Sequence, residues 1–202
     1  MARTQAADYG ERRKSIVEKA AELYAERGFL GASLSDLAQV CGVSKSLIYH
    51  YYPSKEDILF EVMHSHVATL LTATEAVAAL SLPPKDALRA ITTEFMKHYV
   101  GATARQKVLL NELNHLPKQR RATIIGIQHK LIDFMQDILT KLHPDLGGRP
   151  ALRRPAVMLY FGMINWTHTW MDASGPVRPE TIAKLAANIF LDGFTAAEIP
   201  KT

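Results

Sequence analysis

Between residues 28 and 54 the chain is punctuated so closely that only short helices fit. Gly28 suits the end of a preceding helix. Ser33-x-x-Asp36 has the form of a capping box, with aspartate where glutamate or glutamine is more usual. Leu34, Leu37, Ala38 and Cys41 then supply the apolar positions of a short helix. Gly42 ends it and permits a tight turn. Ser44 is a good N-cap for a second short helix over about 45–51, and Pro53 forbids its continuation. Ser54 caps a third helix, with Glu56 and Asp57 in the first turn, where the dipole favours acids.

The second short helix ends in Tyr49, His50, Tyr51 and Tyr52. A helix turns by about 100° per residue, so four consecutive aromatic side chains cannot enter one core. Ile48 and Tyr52 are expected to face inward, with Tyr51 at the margin. Lys45, Ser46, Leu47, Tyr49 and His50 are left outward.

The rest of the chain also reads as helix. Residues 9–27 carry Ile16, Val17, Ala20, Leu23 and Tyr24 on one face. The helix from Ser54 runs to about Leu80, and Pro83-Pro84 breaks it. Helices follow over 85–100, near 105–116 and over 118–143. HPDLGGRP, residues 143–150, is a loop by its proline and glycine content. Residues 151–171 are expected as one helix, apolar nearly all round from Ala156 to Trp170 and so buried on more than one side. After a loop over 172–179 the last helix carries Ile182, Leu185, Ala186, Ile189 and Phe190 at helical spacing.

Of the 202 residues, 48% are hydrophobic and 22% charged, the balance of a soluble globular protein. No apolar run is long enough for a membrane span. No secretory signal pattern precedes the first helix, and the single cysteine, Cys41, suits a reducing cytoplasm. Residues 1–60 hold eight basic and eight acidic side chains, so the net charge of +4 arises beyond them. The excess gathers over 105–130, where Arg105, Lys107, Lys118, Arg120, Arg121 and Lys130 face one acid, Glu112. A solvated helix face explains such a segment, and so does an anionic ligand. Enzyme motifs are missing: there is no Gly-x-Ser-x-Gly, phosphate-binding glycine loop or zinc-protease motif. His64 and His66, two apart on a helix, cannot clamp one metal ion, and no metal or cofactor is expected.

Two short helices joined by a glycine turn make the helix-turn-helix pattern, whose second helix enters the DNA major groove. The stretch from Gly28-Phe29 through Ser33, Asp36-Leu37-Ala38, Gly42-Val43-Ser44-Lys45, Ile48-Tyr49-His50-Tyr51 and Ser54-Lys55-Glu56 resembles the DNA-binding region of tetracycline-repressor (TetR) type regulators. Ala32 departs from that pattern, where a hydroxyl residue is frequent, and so does Leu47, where small or polar residues are common. The resemblance implies an all-α homodimer of about nine helices. It places a three-helix DNA-binding domain at 9–55, a connector helix from about 54 to 80, and a ligand-binding and dimerisation domain at 56–202.

On that basis Ser33, Ser44, Tyr49, His50 and Lys55 are expected at DNA phosphates, and Lys45, Ser46 and Leu47 at base edges of a palindromic operator. Phe95, Met96, Tyr99, Phe134, Met135, Asn165, Trp166, His168 and Trp170 are expected to line an effector pocket. The run YFGMINWTHTWM resembles regulators of this type that respond to acyl-CoA thioesters. Phe161, Ile182, Leu185, Ala186, Ile189 and Phe190 are expected at the dimer contact. The expected function is therefore a ligand-responsive DNA-binding regulator in the cytoplasm, released from its operator by a small effector. A DNA-binding module that organises chromosomes without ligand control is the alternative, and a helical enzyme a more distant one.

Overall fold

The computed structural model describes the backbone of residues 2–172 and 174–199, and the side chains of 9–172 and 174–199. Residues 200–202 of the expected second domain lie outside the described residues. Among those residues there are nine α-helices, three short 3-10 turns and no strand. The helices are α1 (Ala2–Gly31), α2 (Leu34–Cys41), α3 (Lys45–Tyr51), α4 (Lys55–Ala79), α5 (Pro84–Gly101), α6 (Thr103–Asn111), α7 (Lys118–Leu142), α8 (Pro150–Asn165) and α9 (Pro179–Ala196). They form two compact units. One comprises residues up to His66 together with Ala104–Ile124; the other comprises Val67–Thr103 and residues from Ile125 onward.

In the first unit α1 buries Ile16, Val17, Ala20, Leu23 and Tyr24. Gly28 breaks its regular path at φ 73, ψ 158, and one further turn follows to Gly31. The expected capping box forms: Asp36 N–H donates to Ser33 Oγ at 3.1 Å, and Ser33 N–H donates to the Asp36 carboxylate at 2.8 Å. Gly42 closes α2 in the left-handed conformation, φ 67, and its N–H returns to the last turn. Leu37, Ala38, Ile48, Tyr52, Ile58 and Leu59 are buried. The second segment of this unit, Ala104–Ile124, was not expected in it from the sequence. α6 contributes buried Gln106, Val108 and Leu109, and α7 begins here before continuing into residues assigned to the second unit.

In the second unit α5 lies along α9 and also meets α8. Leu88, Ile91, Phe95, Met96 and Tyr99 of α5 share a core with Met135 and Ile138 of α7, Val157, Tyr160 and Ile164 of α8, and Leu191 of α9. One polar pair lies within it: the Thr92 and Tyr160 hydroxyls are 2.8 Å apart, and Thr92 also donates to the Leu88 carbonyl at 2.6 Å. Burial pushes the Tyr160 phenol well above its ordinary pKa. The loop at 143–150 contains a 3-10 turn, Pro144–Leu146, whose Leu146 is buried.

The turn at Gly42 can be tested separately from packing, because a Cβ added there meets nothing within 4 Å. Gly42→Ala is expected to destabilise the protein by about 1–2 kcal/mol through backbone strain alone. Urea unfolding should show a lower midpoint with an unchanged slope. An unchanged midpoint would refute the strained turn.

Candidate nucleic-acid interface

α3 is seven residues long and is fixed at both ends. Ser44 Oγ accepts from Leu47 N–H at 3.2 Å, and Tyr52 N–H donates to the Ile48 carbonyl at 2.9 Å. Its inner side is set by Ile48 and Tyr52, both buried as expected from the spacing, while Tyr51 is intermediate. The Tyr52 hydroxyl accepts from Arg13 Nε at 3.1 Å, and the guanidinium also sits over the Tyr52 ring and pairs with Glu61 at 3.0 Å. Burial pushes the Tyr52 phenol up, against the opposing pull of Arg13.

Its outer side presents Lys45, Ser46, Tyr49 and His50, all exposed, with Leu47 half-buried. The Lys45 ammonium lies 6.0 Å from the centre of the Tyr49 ring, one helical turn away. His50 and Tyr51 are less free than the sequence suggested. Tyr9 of α1 packs on Tyr51, with ring centres 4.6 Å apart, and meets His50 edge-on at 6.2 Å. Ser33 and Ser44 are exposed, yet both spend their hydroxyls on helix caps.

Lys55 has a partner within the chain. Instead of reaching outward to phosphate, its ammonium donates to the Phe29 carbonyl. It also lies 4.1 Å from the Phe29 ring centre and 5.9 Å from that of Tyr24. Burial pushes its pKa down. The cause is local: Phe29 lies in the last turn of α1, which ends at Gly31, so its carbonyl has no partner in the helix and is available to an outside donor.

α4 starts from a second capping arrangement. Asp57 N–H donates to Ser54 Oγ at 3.1 Å, and the Ser54 hydroxyl donates to the Asp57 carboxylate at 2.5 Å. Arg120 of α7 also pairs with Asp57 and lies over the Phe60 ring. Two members of the basic segment thus have structural partners, since Arg105 pairs with Glu18 at 3.6 Å.

Five of the nine expected effector residues come together in one packed core, and the two tryptophans do not join them. Phe95, Met96, Tyr99 and Met135 are buried in the core of the second unit, with Phe134 packed against it. Trp166 and Trp170 are 64% and 56% exposed. They lie beyond the inward face that Val157, Tyr160 and Ile164 set, and α8 itself stops at Asn165, where a 3-10 turn follows, Trp166–Thr169. Thr167 and Thr169 donate their hydroxyls to the Ile164 and Trp166 carbonyls, at 2.6 and 2.8 Å, and His168 Nδ1 sits 2.6 Å from the Asn165 carbonyl. Side chains that bond the local backbone compete with the α-helix, and residues four apart do not share a face at three residues per turn. A cavity of about 500 Å³ in this unit is lined by other residues, among them Val77, Leu80, Arg89 and Thr93.

The expected dimer residues also divide. Phe161 is buried and stacks on Phe95 at 6.0 Å, so it belongs to the core of its own chain. Leu185 and Ile189 are exposed, while Ile182, Ala186 and Phe190 are partly buried against that core. Met158 and Leu159 of α8, the latter 75% exposed, were not singled out from the sequence. Their all-apolar surroundings hid which side of α8 faces outward.

Comparison with known proteins settles the family. Residues 16–62 match bacterial regulatory proteins of the tetR family, and residues 81–194 match the tetracyclin repressor-like C-terminal domain. The chain belongs to the TetR family. It is a DNA-binding transcriptional regulator rather than an enzyme. A TetR-family transcriptional regulator from Bordetella parapertussis is 37% identical, with 93% of this chain and 98% of that one covered and a TM-score of 0.86. The HTH-type transcriptional repressor KstR2 of Rhodococcus jostii is 23% identical over 92% of each chain. AibR, solved with isovaleryl coenzyme A and operator DNA, shares the fold at 24% identity, a TM-score of 0.76, and 88% and 97% coverage. No helix among the described residues is long and apolar enough to cross a membrane, and no cluster of three or more potential metal ligands occurs among them.

The Asp57 site makes a pH prediction for this TetR-family fold. Burial pushes its carboxyl up, but the hydrogen bonds from Ser54 and Arg120 and the Arg120 charge outweigh that and hold it below its ordinary pKa. A depressed folded pKa contributes stability above the unfolded value, about 3.9, and loses it as pH falls through the folded value. Asp57→Asn should therefore be less stable than the parent at neutral pH, with the gap closing below about pH 4. Urea unfolding across pH tests this; a gap independent of pH would contradict it.

Proposed function

We propose that the chain is an effector-released repressor that reads a palindromic operator as a homodimer in the cytoplasm. Residues 9–55 act as its DNA-reading part and 56–202 as its sensing and dimerisation part. The observation that carries the DNA reading is the outer side of α3. There Lys45, Ser46 and Tyr49 stand exposed on a capped helix that Ile48 and Tyr52 anchor from beneath. Lysine can donate to guanine, serine to any base, and the apolar edge of Leu47 suits a thymine methyl. Tyr49 and His50 then contact phosphates, with Ser44, whose cap bond uses only the acceptor side of its hydroxyl, and with Ser33 once its hydroxyl turns from Asp36. Paired recognition helices about 34–36 Å apart meet successive turns of one DNA face.

A dimer that neutralises about six phosphates should show a log-affinity slope of about −5 against log salt. Tyr49→Ala is expected to weaken all operators alike, and Ser46→Ala to alter sequence preference. Lys55→Ala should lower thermal stability more than it lowers operator affinity. Fluorescence anisotropy over a salt series tests this; unchanged binding by Tyr49→Ala would exclude the assignment.

For the effector, an acyl-CoA thioester is the reading with most support. It rests on the AibR complex with isovaleryl coenzyme A and on the aromatic C-terminal run. A thioester that prefers a form of the dimer with different helix spacing shifts the population away from DNA. Operator release by acyl-CoAs but not by their free acids is the expected outcome. Release by uncharged compounds, with no response to any thioester, would sink the reading.

The dimer face is proposed on α8 and α9. Leu159, Met158, Leu185 and Ile189 leave an apolar surface there that an isologous partner would cover. Leu159→Glu combined with Ile189→Glu should give a folded monomer by sedimentation, with operator affinity lost. A dimer that survives both changes would place the contact elsewhere.

A further inference from the structure

We propose that the first unit contains a binding site for a phosphate-bearing small molecule, in the cavity between α1 and the side chains of Tyr52, Glu61, Ser65 and Arg105. This cavity holds about 300 Å³ and is lined by Gly10, Arg13, Lys14 and Val17 of α1 with those four residues. Three cations therefore line one opening, with Glu61 as the single acid among them. Glu61 is paired with Arg13 at 3.0 Å, and Arg105 pairs with Glu18 at the longer distance of 3.6 Å. Counting both acids, the group keeps one positive charge in excess. Each guanidinium also carries more N–H donors than these partners accept.

Phosphate is the chemistry that such a site selects. Forked guanidinium donors match its oxygens in pairs, and a lysine adds a point charge. Gly10 leaves the α1 wall without a side chain, and a Cβ there would meet nothing within 4 Å. Arg105 comes from the segment where the sequence concentrates its positive charge, and the fold brings it to Arg13 and Lys14, some ninety residues earlier. The wall contributed by Tyr52 is the buried side of the recognition region, away from exposed Ser46 and Tyr49. That favours a small anion over the DNA backbone. A bound phosphate would tie α1 to α6 within this unit. The inference rests on this geometry alone and not on the thioester reading.

Calorimetry on the full chain at low ionic strength, with inorganic phosphate and adenosine 3′,5′-bisphosphate as probes, tests it. Both are expected to bind. Phosphate that competes with the bisphosphate identifies a phosphomonoester site, while binding of inorganic phosphate alone identifies a free-phosphate site. Arg105→Gln should weaken binding about ten-fold, with Arg105→Lys retaining most of it. Lys14→Gln should weaken it by a smaller factor, and Lys130→Gln should leave it unchanged. Absence of binding at about 10 mM, where weak anion sites fill, or equal binding by all four variants, overturns the proposal. So does a loss of operator affinity in Arg105→Gln, without added anion, as large as its loss of phosphate affinity.

Discussion

Everything that α3 can do depends on its being too short to exist by itself. An isolated helix of seven residues pays the nucleation cost and recovers almost none of it. It is held instead by Ser44 at its start, by the Gly42 turn behind it, and by Ile48 and Tyr52 sunk into the unit. Leu- or Ile-sized side chains that lose such burial cost about 2–5 kcal/mol, far more than a surface contact contributes. The outward side chains are therefore free to vary, while the inward pair fixes where they point.

The same economy explains the handling of charge. The region of residues 1–60 is neutral overall, so a positive surface can arise only by sorting. The sorting is done by packing. Arg13 is turned to Tyr52 and Glu61, Lys55 to the Phe29 carbonyl, and Lys19 to the Val40 carbonyl at 3.0 Å. Lys45 remains exposed on α3. Lysine and arginine have long apolar stems that can be buried while the charge finds a partner. A cation near a DNA-reading helix is therefore not by itself a phosphate contact, and Lys55 illustrates this.

Legibility followed the range of the interaction that decides each feature. Caps and turns are local, so Ser33, Gly42, Ser44 and Pro53 placed α2 and α3 to within a residue. The inward roles of Ile48 and Tyr52 also follow from spacing alone. The partners of Lys55, Arg105 and Arg120 lie 26, 87 and 63 residues away, and periodicity carries no information at that distance. The recruitment of 104–124 into the first unit was hidden for the same reason. The end of α8 failed differently. Its signal was local, in Thr167 and Thr169, but a continuous apolar run outweighed hydroxyls able to bond back to the chain.

The outer side of α8 and the turn after it have a consequence for the second unit. Had the helix run on to residue 171, Trp166 and Trp170 would share one face, the one opposite Val157, Tyr160 and Ile164. After the 3-10 turn they are exposed as well, beside an α8 that already exposes Met158 and Leu159. Large apolar groups left in water cost roughly 25 cal/mol per Å² relative to burial. Scattered singly they need no explanation, but several on α8 and α9 together do. Packing cannot turn them inward, because Tyr160, Phe161 and Ile164 already fill the inner side of α8. The remaining way to remove this surface from water is to cover it from outside, as a second copy of the chain would. The polar Thr92–Tyr160 contact on the other side then fixes how α8 seats on α5, and hence which of its side chains are left to be covered.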